Sequence, residues 1–181
     1  KRIPMGAGLG GGSSNAAAAL CAMNQLRGDC LTKDRLKAIA TELGSDCPFF
    51  IDSIPSKMSG RGEVLEALPV ELSKALRGQR IVLFKPDFAI NTAVAYNRLI
   101  ESRPSVYESL ELAANRLTLF KDTKKLEGLL HNTFEGNLGS KYLAIPCLLT
   151  ELRLAGFACL MSGSGSCCFA LAQDAGEVSR I

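Results

Sequence analysis

Tryptophan is absent from this 181-residue chain, and aromatic residues of any kind make up only 6% of it. A core built from these residues has to be mainly aliphatic. No stretch of 18 consecutive apolar residues occurs, so no segment reads as a membrane-spanning helix. An excess of one charge sign is missing as well. The 21 Lys and Arg against 18 Asp and Glu leave a formal +3, too little to argue for a nucleic-acid partner. The one histidine, His131, would have to carry any Ser-His-Asp triad alone, and its plainer reading is a polar residue near a helix end. The seven cysteines contain no Cys-x-x-Cys pair. Most lie in apolar runs such as Ala158-Cys159-Leu160 and Cys167-Cys168-Phe169, which favours buried reduced thiols over disulfides or zinc. No secretory leader is legible, no protein-built metal site is expected, and no pattern reports an oligomeric state.

Glycine, by contrast, is concentrated in one place. The chain reads Pro4-Met5-Gly6-Ala7-Gly8-Leu9-Gly10-Gly11-Gly12-Ser13-Ser14-Asn15-Ala16-Ala17, with five glycines in seven positions ahead of a helix-forming alanine run. Glycine admits positive φ and lets a ligand approach the backbone closely. The first N–H groups of a helix have no acceptor of their own and sit at the positive end of its dipole. Residues 4 to 14 therefore read as a loop that cradles the phosphates of a nucleotide. Three other readings compete. Gly6-Ala7-Gly8-Leu9-Gly10-Gly11 is a literal G-x-G-x-x-G, yet no buried strand precedes it, and Asp29 sits in a turn between two helical patterns. A Walker A loop needs a lysine after the glycines, where Ser13 and Asn15 stand. A flexible Gly/Ser spacer is disfavoured by Pro4, Leu9 and the alanines that follow.

Downstream, the pattern predicts a helix over residues 14–26 capped by Ser13 or Ser14. A second helix is predicted with Thr32 as its cap, Leu36, Ile39, Ala40 and Leu43 on one face, and Gly44 as its stop. Ser45-Asp46-Cys47-Pro48-Phe49-Phe50-Ile51 reads as a turn into an apolar strand. Residues 56–60 and 63–68 alternate around Gly60-Arg61-Gly62, a hairpin signal. A strand is predicted over 80–84, then a mainly helical stretch from about 91 to 157 with a loop at 132–140. Strands at 158–161 and 166–172 flank Ser162-Gly163-Ser164-Gly165, and 174–181 starts a helix. Hairpins mixed with helices indicate α+β rather than a doubly wound sheet.

Asp46 is the carboxylate that stands out. It follows a helix stop and precedes Pro48-Phe49-Phe50-Ile51, where partial desolvation would raise its pKa and make it a better base. Organising the turn before Pro48 is an equally good role for it. The Ser162–Ser166 segment offers further backbone donors and hydroxyls, or is simply a tight hairpin. Tyr96 could stack on a planar ligand, or belong to the core.

Taken together, these residues resemble the GHMP kinases (galactose, homoserine, mevalonate and phosphomevalonate kinases). The resemblance rests on Lys1-x-x-Pro4-x-Gly6-x-Gly8-Leu9-Gly10-Gly11-Gly12-Ser13-Ser14-Asn15 and continues through Gly44-Ser45-Asp46-Cys47-Pro48-Phe49-Phe50. Gly60-Arg61-Gly62-Glu63, Lys85-Pro86 with Thr92 and Tyr96, and Met161-Ser162-Gly163-Ser164-Gly165 extend it over nearly the whole chain. The long form, with three consecutive glycines and then Ser-Ser-Asn, resembles the branch of the family that acts on an alcohol bearing a cytidine diphosphate group. The resemblance implies a two-domain GHMP-kinase fold: residues 1–70 the remainder of a ribosomal-protein-like ATP-binding domain, and 78–181 a ferredoxin-like domain with its last helix incomplete. It implies that Pro4 to Ser14 wrap the phosphates of ATP, with Mg2+ accompanying the nucleotide. It further implies that Asp46 is the general base, and that Thr92 and Tyr96 bind substrate, Tyr96 stacking on cytosine. Gly163, Ser164 and Gly165 would close the site near the transferring phosphoryl group. Other members of the family, or a nucleotide-binding homologue without catalysis, are the alternatives. The implied location is cytoplasmic, or a plastid after removal of a transit peptide. The family's first motif, a strand with a lysine that assists the base, would precede Lys1. The isolated 181-residue chain is therefore expected to be inactive or poorly folded, and measurable turnover by it would refute that.

Overall fold

The computed structural model describes residues 3–102, 108–138 and 141–181. Lys1 and Arg2 of the glycine motif, and residues 139–140 of the predicted loop, lie outside them. The chain divides into two compact units, one of Gly10–Leu76 and one of Lys1–Leu9 with Arg77–Ile181.

In the Gly10–Leu76 unit, α1 (Gly11–Leu26), α2 (Lys33–Leu43) and the short α3 (Phe49–Asp52) precede a hairpin of β1 (Ser56–Ser59) and β2 (Val64–Ala67), followed by α4 (Val70–Leu76). Helix α2 begins and ends as its sequence predicts. The Thr32 hydroxyl accepts from the Arg35 N–H at 3.3 Å, and Gly44 is the C-cap. Helix α1 does not begin as predicted. It starts three residues earlier, with Gly10 as N-cap in the left-handed region at φ +62° and no side-chain cap. Ser14 lies inside the first turns, its hydroxyl donating back to the Gly11 carbonyl at 3.4 Å. Buried Ala17 on α1, with Leu36 and Ala40 on α2, forms the core of the unit, small side chains allowing close helix approach. Asn24 closes the α1–α2 connection: its side-chain carbonyl accepts from the Leu31 N–H at 2.9 Å, and its amide donates to the Leu31 carbonyl at 3.2 Å.

Residues 49–52 are helical rather than a strand. Pro48, at φ −58° and ψ −33°, already has helical geometry and opens α3. Four apolar residues cannot distinguish a strand from a helical turn by periodicity, which is why the pattern misled. Asp52 at the end of α3 pairs with Lys33 at 3.0 Å and with Lys37. Hydrogen bonds from Lys37 and then Lys33 hold its carboxyl below the ordinary aspartate value. The hairpin is as predicted, with Ser56 opposite Ala67 and Ser59 opposite Val64.

The second unit contains β3 (Arg80–Phe84), α5 (Thr92–Glu101), α6 (Leu110–Thr123), a 3-10 turn at Leu126–Leu129, α7 (Thr133–Leu138), α8 (Ala144–Leu154), β4 (Cys159–Met161), β5 (Cys168–Ala172) and α9 (Ala175–Arg180). Its antiparallel sheet runs β3-β5-β4, the central strand being the last in sequence. Phe84 pairs with Cys168 and Met161 with Cys168, so these side chains share one face. That face packs with Ile90, Ala95, Ile145 and Leu149 into a core of aliphatic and sulfur-bearing residues, in line with the tryptophan-free composition. The seven cysteines are free thiols; Cys47, Cys159, Cys167 and Cys168 are buried, whereas Cys30 and Cys147 are exposed. Burial pushes the Cys168 thiol up to about 12, which keeps it protonated and unreactive. Helix α7 occupies most of the segment expected as a loop. Asn132 accounts for it, since its side-chain carbonyl accepts from the Phe134 N–H at 2.9 Å and so opens the helix.

Leu149 is 1% exposed and central to the second core. Leu149→Ala is expected to lower stability by about 2–5 kcal/mol, read from denaturant unfolding midpoints.

Candidate functional site

The glycine loop is organised by a consistent use of its backbone. Its carbonyls are engaged: the Ser162 hydroxyl donates to the Gly8 carbonyl at 2.8 Å, and the Cys167 N–H to the Ala7 carbonyl at 3.3 Å. Its amides are not. Among the described residues, no N–H from Gly6 to Ser13 donates to a protein acceptor. The Ser14 N–H is the first one taken up, by the Gly10 carbonyl at 2.9 Å. A serine cap at the start of α1 would have spent an oxygen on these donors. Gly10 has no side chain to spend. Successive free amides at a helix start suit an oxyanion, because each donor and the dipole favour negative charge.

Glycine is required at particular points of this loop. At Gly8, φ is +76°, and a Cβ would lie 1.9 Å from the Ser162 carbonyl oxygen. At Gly10, a Cβ would lie 3.1 Å from the ring of Phe50 on α3. Gly12, by contrast, faces open space. Pro4, Met5 and Gly6 are exposed, Ala7 is buried, and Leu9, Ser13 and Ser14 are half-buried.

Within the unit that holds Lys1–Leu9, the loop rests on the Ser162–Gly165 turn. Gly163 is exposed at φ +55°, and Ser164 is buried. The Ser164 and Thr92 hydroxyls are 3.1 Å apart, within hydrogen-bonding distance. Thr92 opens α5, and Tyr96 follows one turn later. Tyr96 is 52% exposed, its ring edge-on to Phe134 with centroids 5.0 Å apart. Its ring is thus neither buried in the core nor enclosed. The structure brings Ala7, Gly8, Thr92 and Gly163–Gly165 together.

In the Gly10–Leu76 unit, Asp46 lies in the turn between α2 and α3 and is exposed. Partial burial was the local expectation, and the described residues do not provide it. Phe50, on the segment just after Asp46, packs at Gly10, so this turn is held near the start of α1. Gly62 of the hairpin turn reaches it as well: a Cβ there would lie 3.3 Å from Asp46 Oδ1. Sequence reasoning missed Phe50 and Gly62 as organisers of the Asp46 turn in this unit, and Asn132 in the other. A signal for Asn132 was present in Asn132-Thr133-Phe134-Glu135, the spacing of a helix cap with an acid three residues on. His131 lies near Arg116 at 3.5 Å and Glu108 at 3.9 Å. Among the described residues, no group of three or more His, Cys, Asp or Glu is placed to hold a metal, and no helix is long and apolar enough to cross a membrane.

Gly8→Ala is expected to lower stability by about 1–3 kcal/mol, because the loop must leave its seat on Ser162. Gly12→Ala is expected to be neutral or to stabilise α1 by up to about 1 kcal/mol. Thermal unfolding of the two variants side by side checks the contrast.

Comparison with known proteins places these features in a family. The model of the GHMP kinases N terminal domain matches residues 1–53, and that of the GHMP kinases C terminal domain matches residues 107–181. A 4-diphosphocytidyl-2-C-methyl-D-erythritol kinase of Solibacter usitatus is 38% identical over 185 residues, covering 99% of this chain and 56% of the relative. A chloroplastic kinase of the same name from Arabidopsis thaliana is 44% identical over 115 residues, covering 64% of this chain and 29% of the relative. A crystal structure of 4-(cytidine 5'-diphospho)-2C-methyl-D-erythritol kinase superposes with a TM-score of 0.73 at 31% identity, covering 99% of this chain and 62% of that one. Homoserine kinase from Cytophaga hutchinsonii shares the fold, with a TM-score of 0.68 at 20% identity and coverage of 100% and 61%. The chain thus spans less than two thirds of the length of these relatives.

Proposed function

The chain belongs to the GHMP kinases, and from that premise we propose that it serves an ATP-dependent kinase for 4-diphosphocytidyl-2-C-methyl-D-erythritol. The reaction is phosphorylation of the substrate's 2-hydroxyl, a step of non-mevalonate isoprenoid (terpenoid) biosynthesis. The observation that carries this reading is the run of backbone donors from Gly6 to Ser13 left without a protein acceptor, in a chain similar to kinases of that name. Residues 1–70 are assigned to the N-terminal ATP-binding domain and 78–181 to the C-terminal domain.

The residues present fit a triphosphate. Pro4 to Ser14 would hold it, with backbone amides that have no protein acceptor and glycine at the points of close approach. When bound, ATP supplies the γ-phosphoryl group, and accompanying magnesium spreads the charge of the β and γ oxygens. The chain's own contribution is alignment and charge stabilisation, which is most of what phosphoryl transfer asks of a protein. Asp46, exposed and free to meet a hydroxyl, takes the proton of the attacking substrate. Tyr96 offers an open ring face for cytosine, and Thr92 with Gly163, Ser164 and Gly165 contacts the substrate near the transferring group. A cytoplasmic or plastid setting is part of this reading, the plastid option being supported by one relative that is chloroplastic.

A coupled assay of ADP release on the full-length protein separates the readings. Turnover is expected with the alcohol bearing cytidine diphosphate and not with homoserine, mevalonate or other cytidine-free alcohols. Turnover with one of the latter would move the protein to another branch of the family, and ATP binding without turnover would make it a non-catalytic homologue. Asp46→Asn is expected to lower kcat by about 100- to 10,000-fold with ATP affinity nearly unchanged. Collapse of ATP binding in that variant would make Asp46 structural instead.

A further inference from the structure

Strand β4 lies at an edge of its sheet, with β5 on one side and no strand on the other among the described residues. Antiparallel pairing alternates the direction of backbone groups. Ala158 and Ser162 bond toward β5, the Leu171 N–H donating to the Ala158 carbonyl and the Ser162 N–H to the Cys167 carbonyl, each at 2.8 Å. Cys159 and Met161 therefore point their backbone groups outward. Three side chains meet them. Arg153 donates to the Cys159 carbonyl at 3.1 Å, Glu135 accepts from the Met161 N–H at 2.7 Å, and Asn132 donates to the Met161 carbonyl at 2.7 Å. Glu135 and Arg153 also pair with each other at 2.8 Å. An edge that would otherwise offer itself to another strand is occupied by side chains in place of a neighbour.

Asn132 goes one step further. Its amide has two hydrogens, and the second donates to the Gly163 carbonyl at 2.8 Å. The carbonyls on both sides of Ser162 are thereby held by one nitrogen, and the Ser162 carbonyl is held by the Gly165 N–H at 2.9 Å. With these carbonyls fixed, the Ser162 hydroxyl is aimed at the Gly8 carbonyl, and the seat under Gly8 is set. We propose that Asn132, supported by Glu135 and Arg153 on the β4 edge, is a positioning residue for ATP: it sets the Ser162–Gly165 turn, and through Ser162 the first half of the phosphate-binding loop. This rests on the ATP reading given above and names residues through which that site is held in shape.

The test is ATP affinity by titration calorimetry, with thermal unfolding in parallel, on the full-length protein. Asn132→Asp keeps the size of the side chain and its acceptor but removes both donors. It is expected to weaken ATP binding about tenfold. The deficit should shrink at lower pH, where the introduced carboxyl is protonated and regains one donor. Ser162→Ala, which leaves the β4 edge intact, is expected to give a similar loss. The double variant should fall well short of the hundredfold that independent effects would produce. Wild-type ATP affinity in either single variant overturns the proposal, whatever the melting temperature, and so does a fully multiplicative double variant. Failure of the unsubstituted protein to bind ATP would instead sink the ATP reading itself, and this inference with it.

Discussion

Backbone N–H groups left without a protein partner are the constraint from which the rest of this structure follows. Between Gly6 and Ser13 the chain engages the carbonyls of Ala7 and Gly8 and, among the described residues, none of its amides. A backbone donor kept from water needs an acceptor, and Gly11 in this run is buried. Such a segment is stable only if its carbonyls hold it in place while its donors face something outside the protein. Gly10 in the left-handed region performs the turn into α1 without a side chain that would consume those donors. Glycine at position 8 admits the Ser162 carbonyl to a place where any Cβ would collide.

The same economy of side chains recurs around Asp46. Pro48 turns the chain directly into α3, which points Phe50 at Gly10 and leaves Asp46 on the outside of the turn. Gly62 lets the hairpin turn come close to the Asp46 carboxylate without crowding it. The carboxylate is exposed, so its proposed role as a base rests on access to a hydroxyl rather than on burial among the described residues. In the other unit, polar side chains rather than glycines do the positioning. Asn132 opens α7, caps the β4 edge and holds the turn that seats Gly8.

Much of this was legible in the residues alone. The hairpin around Gly60-Arg61-Gly62, the strand at 80–84 and the Thr32 and Gly44 boundaries of α2 follow from turn and capping chemistry that acts over a few residues. Errors fell where local signals were ambiguous. Ser13 and Ser14 look like caps, but the left-handed Gly10 starts the helix before them. Pro48 to Ile51 has the composition of a strand, yet a helical Pro48 decides the matter. Residues 133–138 contain Gly136 and Asn137, both weak helix formers, and their helix is opened by the Asn132 cap.

The sequence by itself determined where backbone amides would lie without helical partners. A run of glycines before a helix former specifies free amides whatever surrounds them, because the backbone there has neither side chains nor helical partners to satisfy it. It also determined an aliphatic, sulfur-containing core and an α+β order of elements. Tertiary structure alone decided which groups hold the loop, since Ser162 meets Gly8 across 154 residues and Asn132 meets Gly163 across 31. No local propensity encodes such pairs. They exist because the sheet brings the end of the chain back beside its beginning, and hydrogen bonds form between whatever donors and acceptors that packing leaves face to face.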